Sequence, residues 1–447
     1  MTPKVKQVHT GRCVSAGRCS LAALVRGLAW LLAAFACQGA ISEPAQAKII
    51  FGVVPDLPST QFQPRSLTRA AQASARPARR IPYGGGPVLH SNRTHLIFWA
   101  PARSGLRFPA RYESLIERFL ARVAADSRKP SNVYGSSGQY TDSGGPAAYD
   151  SSYRGALVAN DSLPANGCQE SPAGPGWDVC LTDEQLHREI EHVVAADRLP
   201  SGPTDIYFLL TPEGFGSCTD SSSAACALGG ATGYCGYHSV TPTRPTGTSL
   251  LYAVIPYSAV PGHCQSESPR PNASTADRAI SSLSHEHNET VTDPFGDAWS
   301  DSSGNEIGDL CTTDFGSRLG GSGARAFNEV IDGGHYFLQE EWSNADRGCA
   351  ARAKAASVSF SSRRTTRVRH DRVSVSFYAR ARDADGVIVN YEWFFGDRSR
   401  EHVRGRQVSH TFSRAGAYRV VLRTTDSWGN YGFAVRLIRV SGRLRVR

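Results

Sequence analysis

The sequence predicts an α/β (α+β) domain over residues 81–349, followed by an all-β antiparallel sandwich over residues 369–442. Three observations point there. Short apolar runs alternate with stretches whose apolar residues recur every three or four positions, as strands and helices do in one α/β unit. In the closing segment the runs are shorter, alternate apolar with polar, and are broken by Gly and Asp. With 447 residues, the chain exceeds what one small core needs, so two domains with flanking segments are expected.

Residues 1–47 read as an export signal: Lys4, Lys6, Arg12, Arg18 and Arg26 precede the apolar run GLAWLLAAFA, and the small residues AQA stand at 45–47. Cleavage is expected before Lys48. Lipid attachment at Cys37 is disfavoured because AFAC lacks the expected Leu. No later stretch reaches the ~18 apolar residues of a membrane span, so the expectation is a secreted protein with no membrane span. Residues 48–80, rich in Pro, Ala, Ser and Arg, read as a disordered leader or pro-segment.

The α/β domain opens with a Gly turn and the strand THLIFWA. Next comes a helix in which Leu115, Ile116, Phe119, Leu120 and Val123 share a face. Residues 130–180, rich in Gly, Ser, Asp and Pro, imply long surface loops. A Thr182-x-x-Gln185 capping box then opens an amphipathic helix, and the strands TDIYFLLTP and LLYAVIPY follow, separated by a cysteine-bearing loop. Residues 350–368 read as a linker.

Three of the 11 cysteines lie in the signal, leaving Cys168, Cys180, Cys218, Cys226, Cys235, Cys264, Cys311 and Cys349. An even set in an exported chain predicts four disulfides. Cys168–Cys180 is the easiest local pair, and the other pairings stay open. A zinc cluster of cysteines is disfavoured because no C-x-x-C occurs.

Charge is split along the chain. Residues 81–350 carry 17 Lys and Arg against 31 Asp and Glu, whereas residues 351–447 carry 21 against 7. The basic C-terminal part could grip an anionic surface or cell-wall polymer, but a coding bias toward Arg, or attraction between the two domains, is the better account of the split. There is no P-loop and no dinucleotide-binding glycine fingerprint, so no specific nucleic-acid partner is expected.

Two resemblances add to this reading. The segments DADGVIVNYEWFFGD, SHTF and AGAYRVVLRTTDSWG, in that order, resemble a PKD repeat, an immunoglobulin-like sandwich. The resemblance implies that Trp393 plugs the core, Gly396 and Asp397 shape a turn, and Tyr418 packs in the following strand. Where the repeat usually reads W-D-F-G-D-G, this chain has Trp393-Phe394-Phe395-Gly396-Asp397-Arg398. Such domains serve as spacers or adhesion modules, so no catalysis is expected of it.

The motifs GGPVLHSNRTHLIFWAP, LPSGPTDIYFLLTPEGF, YCGYHS, YAVIPYSAVPGHC and TVTDPFGDAW are similar to those of the phosphate-induced protein family, whose plant members include Exordium. That resemblance implies a secreted, disulfide-bonded cell-surface or wall protein. The plant pattern lacks the His-Glu pair that stands here just before TVTDP, which aligns this chain with a microbial branch resembling zincin-like metallopeptidases.

The pair lies in ISSLSHEHNETVTDPFGDAW, residues 280–299, where a helix is expected. Asn272 or Ser274 is placed to cap it, Asp277 sits in its first turn and Pro294 ends it. His285 and Glu289 then share one face, with Glu286 one position round, while His287 cannot share it. In H-E-x-x-H peptidases two imidazoles hold zinc and the intervening Glu takes a proton from the activated water. Here the last position is Glu289, giving H-E-x-x-E. The expected ligands are His285, Glu289 and, from WSDSSGNEIGDLC, Glu306 ahead of Asp309, with His335 and His238 next in order. Glu286 is the expected general base, and His335 or Tyr336 the oxyanion partner. Calcium is a lesser, structural expectation, because Asp293, Asp297, Asp301, Asn305, Glu306 and Asp309 crowd one Gly-rich loop. The bland alternative is a polar helix face that meets only water.

The leading expectation is therefore a secreted zinc-dependent endopeptidase acting on extracellular proteins or peptides. Its rival is a non-catalytic extracellular or wall-associated binding protein of the Exordium type. A carbohydrate-active enzyme would use Glu286, Glu289 and Glu306 beside Trp299. A serine hydrolase is disfavoured by the absence of G-x-S-x-G, and a thiol enzyme by the expected pairing of every mature cysteine.

Overall fold

The computed structural model describes residues 48–56, 80–129, 131–170, 174–229, 233–241, 249–264, 266–353, 356–364, 373–384, 386–397, 403–426 and 431–440. The expected signal at 1–47 lies outside them.

A six-stranded mixed sheet organises the first domain. Its strands are β1 (Lys48–Pro55), β2 (Asn92–Trp99), β3 (Ser151–Ala159), β4 (Asp205–Leu210), β5 (Tyr234–Val240) and β6 (Leu251–Ile255), in the order β1-β5-β6-β4-β2-β3. Strands β6, β4, β2 and β3 run parallel, and β5 and β1 are antiparallel additions at one edge. The central strands are apolar on both faces, as a sheet covered on both sides requires. Leu96, Phe98, Phe208, Leu210 and Ile255 point into one core with helices α1 (Tyr112–Ala125) and α3 (Ala276–Thr292). Their neighbours Ile97, Trp99, Tyr207, Leu209 and Val254 point into a second core against α2 (Asp183–Ala196). The two-residue period of each strand thus divides one apolar run between two layers.

The helices follow the sequence pattern closely. In α1 the stripe Leu115, Ile116, Phe119, Leu120 and Val123 is buried, and α2 begins with the expected box, Gln185 accepting the Thr182 backbone N–H at 3.0 Å. Helix α3 differs at its start: its N-cap is Thr275, not Asn272 or Ser274. The Asp277 carboxylate accepts from the Asn272 side chain and the Ser274 backbone, so the first turn pulls the entering loop onto itself. Asp293 closes the helix before Pro294.

Several assignments are corrected. Within residues 130–180, expected to be surface loops, Ser151–Ala159 forms β3, and in the cysteine-bearing loop expected between TDIYFLLTP and LLYAVIPY, Tyr234–Val240 forms β5. Residues 48–55, expected to be disordered, form the edge strand β1. The β-branched and aromatic stretch KIIFGVVP carries its own strand propensity, which the polar composition of residues 57–80 masks. Residues 357–364, assigned to the linker, form β7 (Ser357–Arg364), the first strand of the C-terminal sandwich, with Phe360 in its core.

That sandwich packs β7, β8 (Val373–Arg382) and β11 (Gln407–Phe412) against a second sheet. The second sheet contains β9 (Ile388–Phe394), β10 (Val403–Arg404), β12 (Gly416–Asp426) and β13 (Tyr431–Val440). Trp393 is fully buried between Phe360 and Phe377, and its indole N–H donates to the Gly405 carbonyl at 2.9 Å. Gly396 takes the left-handed φ of 72° that its turn needs, and Tyr418 stacks on Phe412.

Four disulfides join Cys168–Cys180, Cys218–Cys226, Cys235–Cys264 and Cys311–Cys349. Among the described residues, no helix is long and apolar enough to cross a membrane.

Candidate metal centre

Helix α3 is buried along nearly its whole length, so its polar residues do not meet water. His285, Glu286 and Glu289 are each no more than 1% exposed. Two other segments converge on them. The loop after α3 returns through a turn of 3₁₀ helix at Asp309–Cys311, tied by the Cys311–Cys349 disulfide, and brings Glu306 and Asp309. Strand β5 brings His238 from the sheet, also fully buried.

The resulting contacts are directional. Glu289 Oε1 accepts the backbone N–H groups of Gly308 and Asp309 at 2.9 and 3.0 Å, which leaves Oε2 pointing at His285 Nε2, 3.1 Å away. Asp309 behaves likewise: Oδ2 accepts the Glu306 N–H at 2.9 Å, and Oδ1 faces His285 Nε2 at 3.6 Å. On the far side of Glu289, His238 Nε2 lies 3.5 Å from Glu306 Oε2, and His238 Nδ1 lies 3.1 Å from Glu286 Oε2. One ligand atom from each of His285, Glu289 and Asp309 falls within 4.8 Å of the others, and the same holds for His238, Glu289 and Glu306.

A ring of less obvious residues supports these groups. Gln339 touches His285 Nδ1 through both amide atoms, at 3.0 and 3.3 Å. Nδ1–H donating to the Gln339 carbonyl leaves Nε2, which faces the carboxylates, as the nitrogen a metal would take in place of a proton. Gly308 is needed for close approach, since a Cβ there would stand 2.6 Å from His285 Nδ1. Glu341, buried behind α3, accepts from Asn288 at 3.4 Å. No spacing in the sequence singles out Gln339 or Glu341.

Electrostatically the cluster is short of positive charge. Burial raises the Glu286 pKa well above its usual value; His285 opposes that, and Glu289 and Asp309 add to it. Glu289 is pushed up to about 7 by burial and Asp309, against the pull of His285. Glu306 is also raised well above the carboxylate range, by burial and then by Glu289 and Asp293. Burial disfavours the charge on His285, but Glu289, Asp309 and Glu286 outweigh it and hold its pKa well above normal. Buried acids that repel one another stay protonated or take up a cation. Glu289 Oε2 and His285 Nε2 face each other at 3.1 Å, and Glu306 meets the Asp293 carboxyl, so these atoms face other side chains of the cluster and no backbone donor.

Of the remaining predicted residues, Asp293 adjoins the Glu306 carboxyl and the others lie elsewhere. His287 points away and contacts Asn92 at 2.9 Å. His335 stacks on Phe327, and the Tyr336 hydroxyl accepts from Arg122 at 3.4 Å, so neither joins the cluster. Asp293 and Asp301 accept backbone N–H groups of their own loop, the ordinary local use of an acid in a turn. Trp299 packs between Tyr83 and Tyr140.

Comparison with known proteins identifies a PKD domain, whose family model matches residues 364–435. The PKD1 domain of Epp from Vibrio anguillarum is 28% identical, over 20% of this chain and 96% of that one, with a TM-score of 0.17. The PKD1 domain of the metalloprotease PrtV from Vibrio cholerae is 27% identical, over 20% of this chain and 100% of that one, also with a TM-score of 0.17. OgpA from Akkermansia muciniphila aligns over 80% of this chain and 96% of its own at 7% identity and a TM-score of 0.19, too low to bear on the first domain.

Proposed function

We propose that the protein is a secreted zinc-dependent endopeptidase that hydrolyses extracellular protein or peptide chains, with a zincin-like first domain. One observation carries the reading: His285 Nε2 stands 3.1 Å from Glu289 Oε2 and 3.6 Å from Asp309 Oδ1. Ligands about 2.0–2.1 Å from a tetrahedral zinc lie about 3.3–3.4 Å from one another. The two distances bracket that value. Glu306, the third ligand favoured by the sequence, instead pairs with His238 across Glu289, and that set of one imidazole and two carboxylates suits zinc equally well.

Zinc held there supplies a Lewis acid that polarises a peptide carbonyl and acidifies water. The rest belongs to the chain. Glu286 lies one residue along α3 from His285 and is the base that takes the proton and passes it to the departing amine. His238, 3.1 Å from Glu286 Oε2, fixes that carboxylate. Gln339 and the Gly308 and Asp309 N–H groups set the orientations of His285 and Glu289.

The rival, a binding protein of the Exordium type, would use the same buried cluster only to hold the fold. Glu286→Gln separates the two. The peptidase reading expects loss of hydrolysis of unfolded protein with metal content and melting temperature retained. A zinc-loaded parent that cleaves nothing would leave the rival standing, whereas a variant that cleaves as fast as the parent would remove Glu286 as the base.

A further inference from the structure

The centre is sealed. His238, Glu286 and Glu289 are fully buried, and Glu306 is 1% exposed, so no peptide reaches them in this state. Part of the seal is β1, whose Val54 N–H contacts Glu286. It lies at the edge, antiparallel to β5, the strand that carries His238. Its pairing is irregular, with the register shifting between Ile49 and Val53 and again between Val54 and Pro55. Between those shifts Val54 stands opposite Gly236, and its N–H donates to Glu286 Oε1 at 3.3 Å. An extended backbone therefore crosses the sheet edge and places a peptide N–H on the proposed general base.

The end of the strand is clamped. The Asp56 N–H donates to the Gly233 carbonyl at 2.9 Å, and its carboxylate accepts the Cys264 N–H at 2.9 Å and lies 2.8 Å from His263 Nδ1. Cys264 is itself bonded to Cys235 of β5. Gly236, opposite Val54, keeps the approach open, since a Cβ there would stand 3.0 Å from Glu286 Oε1.

We infer that the β5 edge is the docking strand for an extended polypeptide substrate, and that residues 48–56 occupy that place in the resting chain, holding the centre closed. Strand addition at a sheet edge recognises backbone rather than side chains, so the surface suits unfolded or extended chains of varied sequence. The inference rests on the peptidase reading for its substrate but not for the docking itself. Displacing β1 would expose the β5 edge and Glu286 together, coupling substrate entry to release of the base.

The test uses the full exported chain with a site-specific protease sequence substituted within residues 57–79, folded first and then cut. Hydrolysis of unfolded casein is compared before and after cutting, and a fluorescent peptide of residues 48–56 is titrated onto the cut protein. The expected result is a gain of about ten-fold or more on cutting, saturable binding of the peptide, and renewed inhibition when it is in excess. A fragment that stays bound after cutting is the docked state itself, and Asp56→Ala, which removes its anchor, should set it loose. In the uncut chain Val54→Pro, which lacks the N–H, should raise hydrolysis without cutting. Peptide binding with no hydrolysis in any form would uphold the docking edge and sink the peptidase reading. Equal hydrolysis by cut and uncut chains, with no peptide binding, would overturn the inference and leave the peptidase reading intact.

Discussion

Glu289 Oε1 accepts the backbone N–H of Gly308 at 2.9 Å, which leaves the second oxygen of the same carboxylate facing His285. One side chain thus joins helix α3 to the loop that carries Glu306 and Asp309, and its orientation is set before any cation arrives. Preorganisation of this kind separates a built centre from acids that merely crowd.

Glu289→Gln keeps an oxygen for the Gly308 and Asp309 N–H groups but removes the negative charge. The fold is expected to survive and zinc affinity to fall by at least about ten-fold, as seen for lost ligands and their close supports. Competition against a colorimetric chelator measures it. Unchanged affinity would remove Glu289 from the ligand set.

Gly308→Ala puts a methyl group 2.6 Å from His285 Nδ1, so either the loop or the imidazole must move. Overpacking of that kind costs about 1–3 kcal/mol. Urea unfolding should register that loss, with zinc affinity falling alongside it because the methyl group presses on a proposed ligand.

Glu189 gives a pH dependence away from the centre. Burial, then Asp161, pushes its pKa up to about 7 from 4.5. The folded chain therefore holds a proton that the unfolded chain gives up, and stability should decline as the pH rises from about 4.5 to about 7. Glu189→Gln should flatten that decline in urea midpoints taken across the range. An unchanged slope would remove Glu189 as its source.

Much of the site was legible because helical spacing converts sequence directly into a face. His285, Glu286 and Glu289 fall on α3 as their positions require, and the acids of the returning loop arrive beside them. The preference between Glu306 and Asp309 was not legible, since it depends on which way a short turn of 3₁₀ helix faces. Gln339 and Glu341 come from a segment whose approach is set by the Cys311–Cys349 bond and by pairing of the Trp342 N–H with the Ile307 carbonyl. Such tertiary placement leaves no local pattern. Strands β1 and β7 were missed for another reason: the short apolar run KIIFGVVP and the short alternation SVSF each adjoin polar, Arg-rich sequence, and composition outweighed pattern.

Zinc binding by the buried cluster is open to direct measurement. Elemental mass spectrometry on the purified, zinc-supplemented chain, run beside His285→Ala, tests it most directly. The account predicts about one zinc per chain in the parent and its loss in the variant, with the disulfides and melting transition of the parent retained. A metal-free parent that folds normally after supplementation would contradict it.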